Sequence, residues 1–192
     1  MKKIVSLVLA LLVSACVGTS RPAKFYSLQG INSQDGAAVS KVQMTIGIEE
    51  VKIPDYLDKP QIVTQKDNSV ELGFSEMNRW SEALSAMMQR TIAADMSVYL
   101  PRSVVKARNL SRETFDYVVF VEVDKFDGAF DNQVHLRAWW YALNRDGKIV
   151  VRERGEFSQP AGDSYDELVR AESRLTAELA RQIAQKVAKL PH

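Results

Sequence analysis

Few of the 192 residues carry side chains suited to covalent or acid–base chemistry. Cys16 is the only thiol, and the histidines are His135 and His192. A lone thiol can serve as a nucleophile, a metal ligand or the attachment point of an acyl group. The two histidines lie far apart, and neither has a Cys, His or carboxylate at metal-ligand spacing, so no metal centre is expected. Ser164, in the triplet Gly162-Asp163-Ser164, has the outline of a hydrolase nucleophile, but Glu167 three residues later makes the pattern a capping box that opens a helix. Carboxylate pairs such as Glu49 with Glu50, or Asp124 with Asp127, are ordinary for a chain with 24 acidic residues. Neither a Gly-x-Ser-x-Gly turn nor a Gly-rich phosphate loop occurs. The expectation is a protein that is not an enzyme and has no cofactor beyond acyl chains on Cys16.

Cys16 is positioned by the N-terminus. Lys2 and Lys3 precede an apolar run from Ile4 to Val13, and Ser14 and Ala15 lead to the thiol. This is the layout of a secretory signal peptide. The run is about half the roughly 20 apolar residues needed to cross a bilayer. Val13-Ser14-Ala15-Cys16 resembles the bacterial lipobox, in which the thiol is diacylated, the leader is cut before it and the new amino group is acylated. The competing readings are a cysteine lost with the leader, or a free thiol. Each buried methylene contributes about 0.8 kcal/mol, so two or three chains hold a protein at the membrane where one would not. Val17 is not the aspartate that retains such lipoproteins at the inner membrane, and by that resemblance the expected location is the outer membrane, facing the periplasm.

With residues 1–15 removed, the chain is long enough for one domain with a real core. Lys2 and Lys3 are among the 25 basic residues, so the mature chain is close to neutral. Nucleic acid is not an expected partner. Residues 16–24 (CVGTSRPAK) read as an acylated tether, and 25–192 as the domain.

Within the domain, Phe25 to Leu28 reads as a short strand and 29–41 as a loop. Near-alternation of Val42, Met44, Ile46, Ile48 and Val51 marks a strand stopped by Pro54. Gln61–Gln65 and Val70–Phe74 suggest a hairpin around 66–69. From Asn78 to Leu100 the spacing of Trp80, Leu84, Met87, Met88, Ile92, Met96 and Tyr99 predicts an amphipathic helix ended by Pro101. Its methionines could line a soft binding groove, but core packing accounts for them more simply. A strand from Tyr117 to Phe126 turns at Asp127-Gly128, and Asp146-Gly147 then joins two strand-like runs. A two-residue loop pairs Leu143 with Val150, Tyr141 with Arg152, Trp139 with Arg154 and Arg137 with Glu156. The other face, with Val134, Leu136, Ala138, Trp140 and Ala142, faces the core, with Glu153 as an unexplained polar member. Leu168, Leu175, Leu179, Ile183, Val187 and Leu190 mark a final amphipathic helix. The expected fold is α+β: one domain with a largely antiparallel sheet and two long helices packed on one face.

Arg137, Trp139, Tyr141, Arg152 and Arg154 thus form a candidate partner-binding patch of arginine and aromatic residues. The alternative is a structural ladder of cross-strand and cation–π contacts.

Several motifs carry a family resemblance: the lipobox, Lys24-Phe25-Tyr26-Ser27-Leu28, Val51-Lys52-Ile53-Pro54-Asp55-Tyr56-Leu57-Asp58 followed by Gln61-Ile62-Val63, Asn78-Arg79-Trp80-Ser81-Glu82-Ala83-Leu84, Phe126-Asp127-Gly128 and the closing Leu190-Pro191. Together they resemble the PqiC/YmbA family of bacterial lipoproteins, auxiliary components of ABC-type and MCE-type transport systems. Ala83, where the family often has proline, and Ala15, where the lipobox more often has glycine, are the departures. The resemblance implies a non-catalytic adaptor anchored in the outer membrane. Such an adaptor docks an MCE-domain membrane protein of an intermembrane transport system for lipids or other hydrophobic molecules, and it can self-associate. Pro54, Asp55, Tyr56 and Leu57 become a second partner-binding candidate, against the reading that Tyr56 and Leu57 belong to a buried turn. A lipid carrier with an apolar cavity, or a purely structural envelope lipoprotein, is the alternative function.

Overall fold

Five alternate residues, Val134, Leu136, Ala138, Trp140 and Ala142, are fully buried while their neighbours reach solvent. This one-sided strand lies near the middle of the structure, a computed structural model that describes residues 22–32, 36–66, 70–108 and 113–191. Cys16, the leader and His192 lie outside those residues.

The elements in chain order are β1 (Lys24–Tyr26), β2 (Thr45–Ile48), β3 (Gln61–Gln65), β4 (Leu72–Trp80), α1 (Leu84–Tyr99), β5 (Val104–Ala107), β6 (Tyr117–Gly128), β7 (Gln133–Asn144), β8 (Ile149–Pro160) and α2 (Tyr165–Val187). They form one α+β domain. α1 covers β2 and β5, α2 covers β7 and β8, and the helices pack on each other over one face. The stripes read from the sequence are the ones that face inward: Leu84, Met87, Met88, Ile92 and Met96 in α1, and Leu168, Leu175, Leu179, Ile183 and Val187 in α2, all belong to the buried core. The helical methionines are core residues, and Met87 Sδ also accepts the Leu28 N–H at 2.9 Å.

The strands divide between two mixed sheets where one largely antiparallel sheet was expected. Five strands are ordered β5-β2-β6-β7-β8, and three are ordered β1-β4-β3. β6, β7 and β8 form an antiparallel meander. β2, however, is parallel to both β5 and β6. A parallel neighbour needs a crossover, and α1 supplies it between β4 and β5. Strands as short as β2 and β5 leave little periodicity to read.

The first helix begins later than its pattern suggests. Asn78, Arg79 and Trp80 still pair with Lys24, Phe25 and Tyr26, and the Trp80 N–H donates to the Pro60 carbonyl at 2.7 Å. Trp80 lies one helical turn ahead of Leu84, so it fits the helical period although it belongs to a strand. β6 likewise runs on to Gly128, and the turn falls on 129–132, where Asp131 takes the left-handed φ of 55°. The 66–69 turn lies largely outside the described residues.

At the Asp146-Gly147 hairpin, Asn144 N–H donates to the Lys148 carbonyl and Gly147 N–H to the Asn144 carbonyl, both at 3.0 Å. Gly147 has φ 73°. This is a three-residue loop closed by a left-handed glycine, which adds one bulged residue to the expected two-residue loop. Leu143 therefore meets Ile149 rather than Val150, while Tyr141↔Arg152, Trp139↔Arg154 and Arg137↔Glu156 pair as the sequence predicts. Glu153, opposite Trp140, is accounted for by Lys186 of α2, whose Nζ lies 2.5 Å from Oε1. Ser164 caps α2 by accepting the Glu167 N–H, and Glu167 Oε2 returns to the Asp163 N–H at 3.0 Å. That occupies Ser164 as a cap.

Candidate functional site

The face of the large sheet turned away from the helices carries three cross-strand rows. Phe120, Tyr141 and Arg152 form the first, Glu122, Trp139 and Arg154 the second, and Lys125, Arg137 and Glu156 the third. In the first row the rings of Phe120 and Tyr141 stack at 5.0 Å with an interplanar angle of 1°, and the Arg152 guanidinium lies 5.6 Å from the Tyr141 centroid. In the second, Arg154 lies 5.9 Å from the Trp139 centroid. The ladder expected as the alternative reading is thus present, and the face is also exposed. Trp139 is 44 % exposed, and Ile149 and Val150 at the start of β8 are exposed as well. Glu122, Trp139, Tyr141, Ile149 and Arg152 surround a shallow cleft of about 440 Å³. Arg154 pairs with Glu156 at 3.5 Å and Arg137 with Asp124 at 3.6 Å, whereas Arg152 makes no ion pair among the described residues.

The Pro54–Leu57 turn borders this same face. Beyond β2 the chain keeps pairing with β6: Lys52 N–H donates to the Val121 carbonyl, and Val123 N–H donates to that of Lys52. Lys52 Nζ also reaches Glu122 Oε1 at 2.8 Å. The chain then turns, with the Leu57 N–H on the Pro54 carbonyl at 2.9 Å. Leu57 enters the core, Tyr56 is half-buried, and Asp55 stands in solvent. Tyr56 Oη donates to Asp127 Oδ2 at 2.9 Å. Burial, and then the facing Asp127 carboxylate, push the Tyr56 phenol far above its ordinary value, with Arg137 acting in the opposite direction. The two candidate groups are therefore neighbours: Tyr56 bonds to Asp127, which pairs with Lys125, and Lys125 stands opposite Arg137 in the sheet.

Asp127 is buried, and its Oδ1 has no hydrogen bond, but the Lys125 ammonium stands 3.5 Å from it. Glu172 of α2 is wholly buried. Burial, followed by the charge of Asp127, pushes its carboxyl well above the usual range. Asp95 of α1 accepts the Ile31 N–H at 2.8 Å, and its Oδ2 has no partner. Burial pushes that carboxyl up to about 6, against the Ile31 bond.

Another groove lies elsewhere, between the segment carrying Ile31 and Val39 and the C-terminal half of α2. It measures about 900 Å³, with Tyr99, Arg181 and Lys186 among its lining residues. It is open and half polar, while the space between sheet and helices is filled by side chains such as Trp140, Phe126, Ile92 and Leu136.

The sequence analysis missed Lys52, Phe120, Glu122, Lys125 and Asp127 as members of the face. Alternation in Tyr117–Phe126 would have placed Phe120 and Glu122 outward. What was lacking was the register of β6 against β7, which a bulge between Val123 and Lys125 interrupts.

A family model described as the ABC-type transport auxiliary lipoprotein component matches residues 26–184. The chain belongs to this family. Among curated relatives of this transport auxiliary lipoprotein, the intermembrane transport lipoprotein PqiC of Escherichia coli K12 is 28% identical over 193 residues, covering all of both chains. PqiC of Shigella flexneri matches to the same extent. The fold is shared with a crystal structure of an uncharacterized protein at a TM-score of 0.72 and 23% identity, covering 87% of this chain and 99% of that one. A Xanthomonas campestris protein matches at a TM-score of 0.70 and 14% identity, covering 86% and 95%.

Proposed function

We propose that this auxiliary lipoprotein is a non-catalytic adaptor, held in the outer membrane by acyl chains on Cys16 and docking an MCE-domain assembly that moves lipids or other hydrophobic molecules between the membranes. PqiC, the intermembrane transport lipoprotein it resembles over its full length, supports the transport role. The observation that carries the docking role is the exposed double row of Tyr141 with Arg152 and Trp139 with Arg154. Aromatic and arginine side chains whose shape is already set by stacking lose little conformational freedom on binding, and they dominate interface energetics. Asp55 is the exposed member of the turn, while Pro54, Tyr56 and Leu57 hold that corner in place.

The test is in-cell cross-linking of the full chain, followed by affinity purification and identification of proteins and lipids. Recovery of an MCE-domain protein, lost on Trp139→Ala combined with Arg152→Glu, is the expected result. Lipid recovered without a protein partner would instead favour a carrier, and unchanged recovery by the double variant would move the docking surface off this face.

A further inference from the structure

β8 is the outermost strand of the large sheet, twelve residues long, and among the described residues no strand pairs with its outer side. The direction of its backbone groups follows from β6. Val119 and Val121 offer their carbonyls to Glu49 and Lys52, and Val123 its N–H to Lys52, so the groups of these three residues point away from β7. Strand alternation then sends those of Phe120 and Glu122 to Tyr141 and Trp139. The groups of Ala138, Trp140 and Ala142 go to Gly155, Glu153 and Val151. What remains at the free edge is the N–H and C=O of Arg152, Arg154, Glu156 and Ser158. Of these, the Arg154 carbonyl takes a 3.3 Å bond from Gln182 Nε2, leaving its second lone pair open.

An edge of this length is a template for another strand. The side chains select which strand. Arg152 and Arg154 stand two residues apart on the outer face, both exposed, and Arg152 has no carboxylate partner among the described residues. A second copy of β8 is disfavoured in two registers, since antiparallel pairing centred on Glu153 sets Arg152 against Arg154 and pairing centred on Arg154 sets Arg154 against itself. Like charges directly opposite are destabilising. The register centred on Gly155 sets Arg154 against Glu156 instead, and the test below distinguishes that occupant.

We propose that β8 receives, by strand addition, an extended segment of the docking partner with acidic residues at alternate positions. Its backbone pairs with Arg152, Arg154 and Glu156, and its carboxylates lie over the two guanidinium groups. This deepens the docking reading above and rests on it.

The probe is a fluorescein-labelled octapeptide alternating glutamate and valine, titrated onto the folded full-length protein in detergent by fluorescence anisotropy. An otherwise identical peptide with lysine for glutamate serves as the control. Glu156→Pro deletes an edge-facing N–H without touching a β7–β8 bond and removes a negative charge at the same time. Simple charge attraction would tighten in that variant, whereas strand addition predicts at least tenfold weaker binding. Arg152→Glu with Arg154→Glu, on exposed positions that keep the fold intact, is expected to weaken binding more than tenfold. Absence of binding, equal affinity for the lysine peptide, or full affinity in Glu156→Pro overturns the proposal. So does a wild-type oligomer that excludes the peptide and dissociates in Glu156→Pro, which would assign the edge to a second copy. In-cell capture of an MCE-domain protein by Glu156→Pro but not by the double arginine variant would overturn strand addition while leaving the docking face in place. Capture by both variants would overturn the two readings together.

Discussion

Tyr56 Oη donates to Asp127 Oδ2 at 2.9 Å, and this one bond fastens the turn after Pro54 to the outer face of β6. The turn is thereby a fixed corner of the sheet rather than a free loop. Tyr56→Phe keeps the ring and removes the donor, leaving a carboxylate that is 3 % exposed with one fewer hydrogen bond. The expected loss is about 1–3 kcal/mol in urea denaturation. Partner capture by the folded protein should not change, and loss of capture at full stability would instead make Tyr56 an interface residue.

Adjacent tryptophans should behave oppositely. Trp140 is fully buried, and its Nε1 donates to Gln182 Oε1 at 3.0 Å. Trp140→Ala should cost about 3–5 kcal/mol. Trp139→Ala, on the open face, should stay within about 1 kcal/mol of wild type and act on partner capture instead. Comparable thermal shifts for the two would contradict the assignment of faces.

Asp95 predicts a pH dependence. Its folded value of about 6 lies above its ordinary 3.8, so the protonated form is favoured in the folded chain. Its contribution to stability is fully present below about pH 4 and is lost as pH rises through about 6, a change of roughly 3 kcal/mol at most. Asp95→Asn should retain the Ile31 bond and place a donor where Oδ2 has no partner. Denaturation midpoints for this variant should therefore exceed wild type at pH 7.5 and converge with it at pH 4. Glu172 contributes a slope of the same sign to both proteins, so the comparison isolates Asp95.

Two left-handed glycines separate backbone strain from crowding. Gly147 and Gly162 have φ of 73° and 71°. A methyl group at 147 meets nothing within 4 Å, while one at 162 would overlap the Glu167 side chain. Gly147→Ala should cost about 1–2 kcal/mol from conformation alone. Gly162→Ala should cost more and also disturb the α2 cap, visible as lost amide protection at Glu167. Equal costs would show that Glu167 moves aside freely.

The legible parts of this fold are those in which one residue type repeats along one element. Val134 to Ala142 on β7 and Leu168 to Val187 on α2 announce their buried faces, and Asp146-Gly147 sets a register that places Arg152 on Tyr141. The illegible parts depend on distant partners. Trp80 reads as helix because nothing local shows that Tyr26 pairs with it, and β5 is too short to declare itself. The proposed docking face is half visible for the same reason: Trp139 and Arg154 are hairpin neighbours, but Phe120 joins Tyr141 only through the β6–β7 register, and Asp127 needs the turn at Tyr56 from 71 residues away.

The parallel pairing of β1 with the end of β4 has a consequence for placement in the envelope. Lys24 is the first residue held by the sheet, through Asn78. With acyl chains on Cys16, as proposed, the eight steps from Cys16 to Lys24 form a leash of at most about 29 Å even when fully drawn out. Phe25, 67 % exposed at the end of that leash, would then ride close to the lipid headgroups. The domain could pivot on its anchor but not reach across the periplasm, so any span between the two membranes must come from the partner.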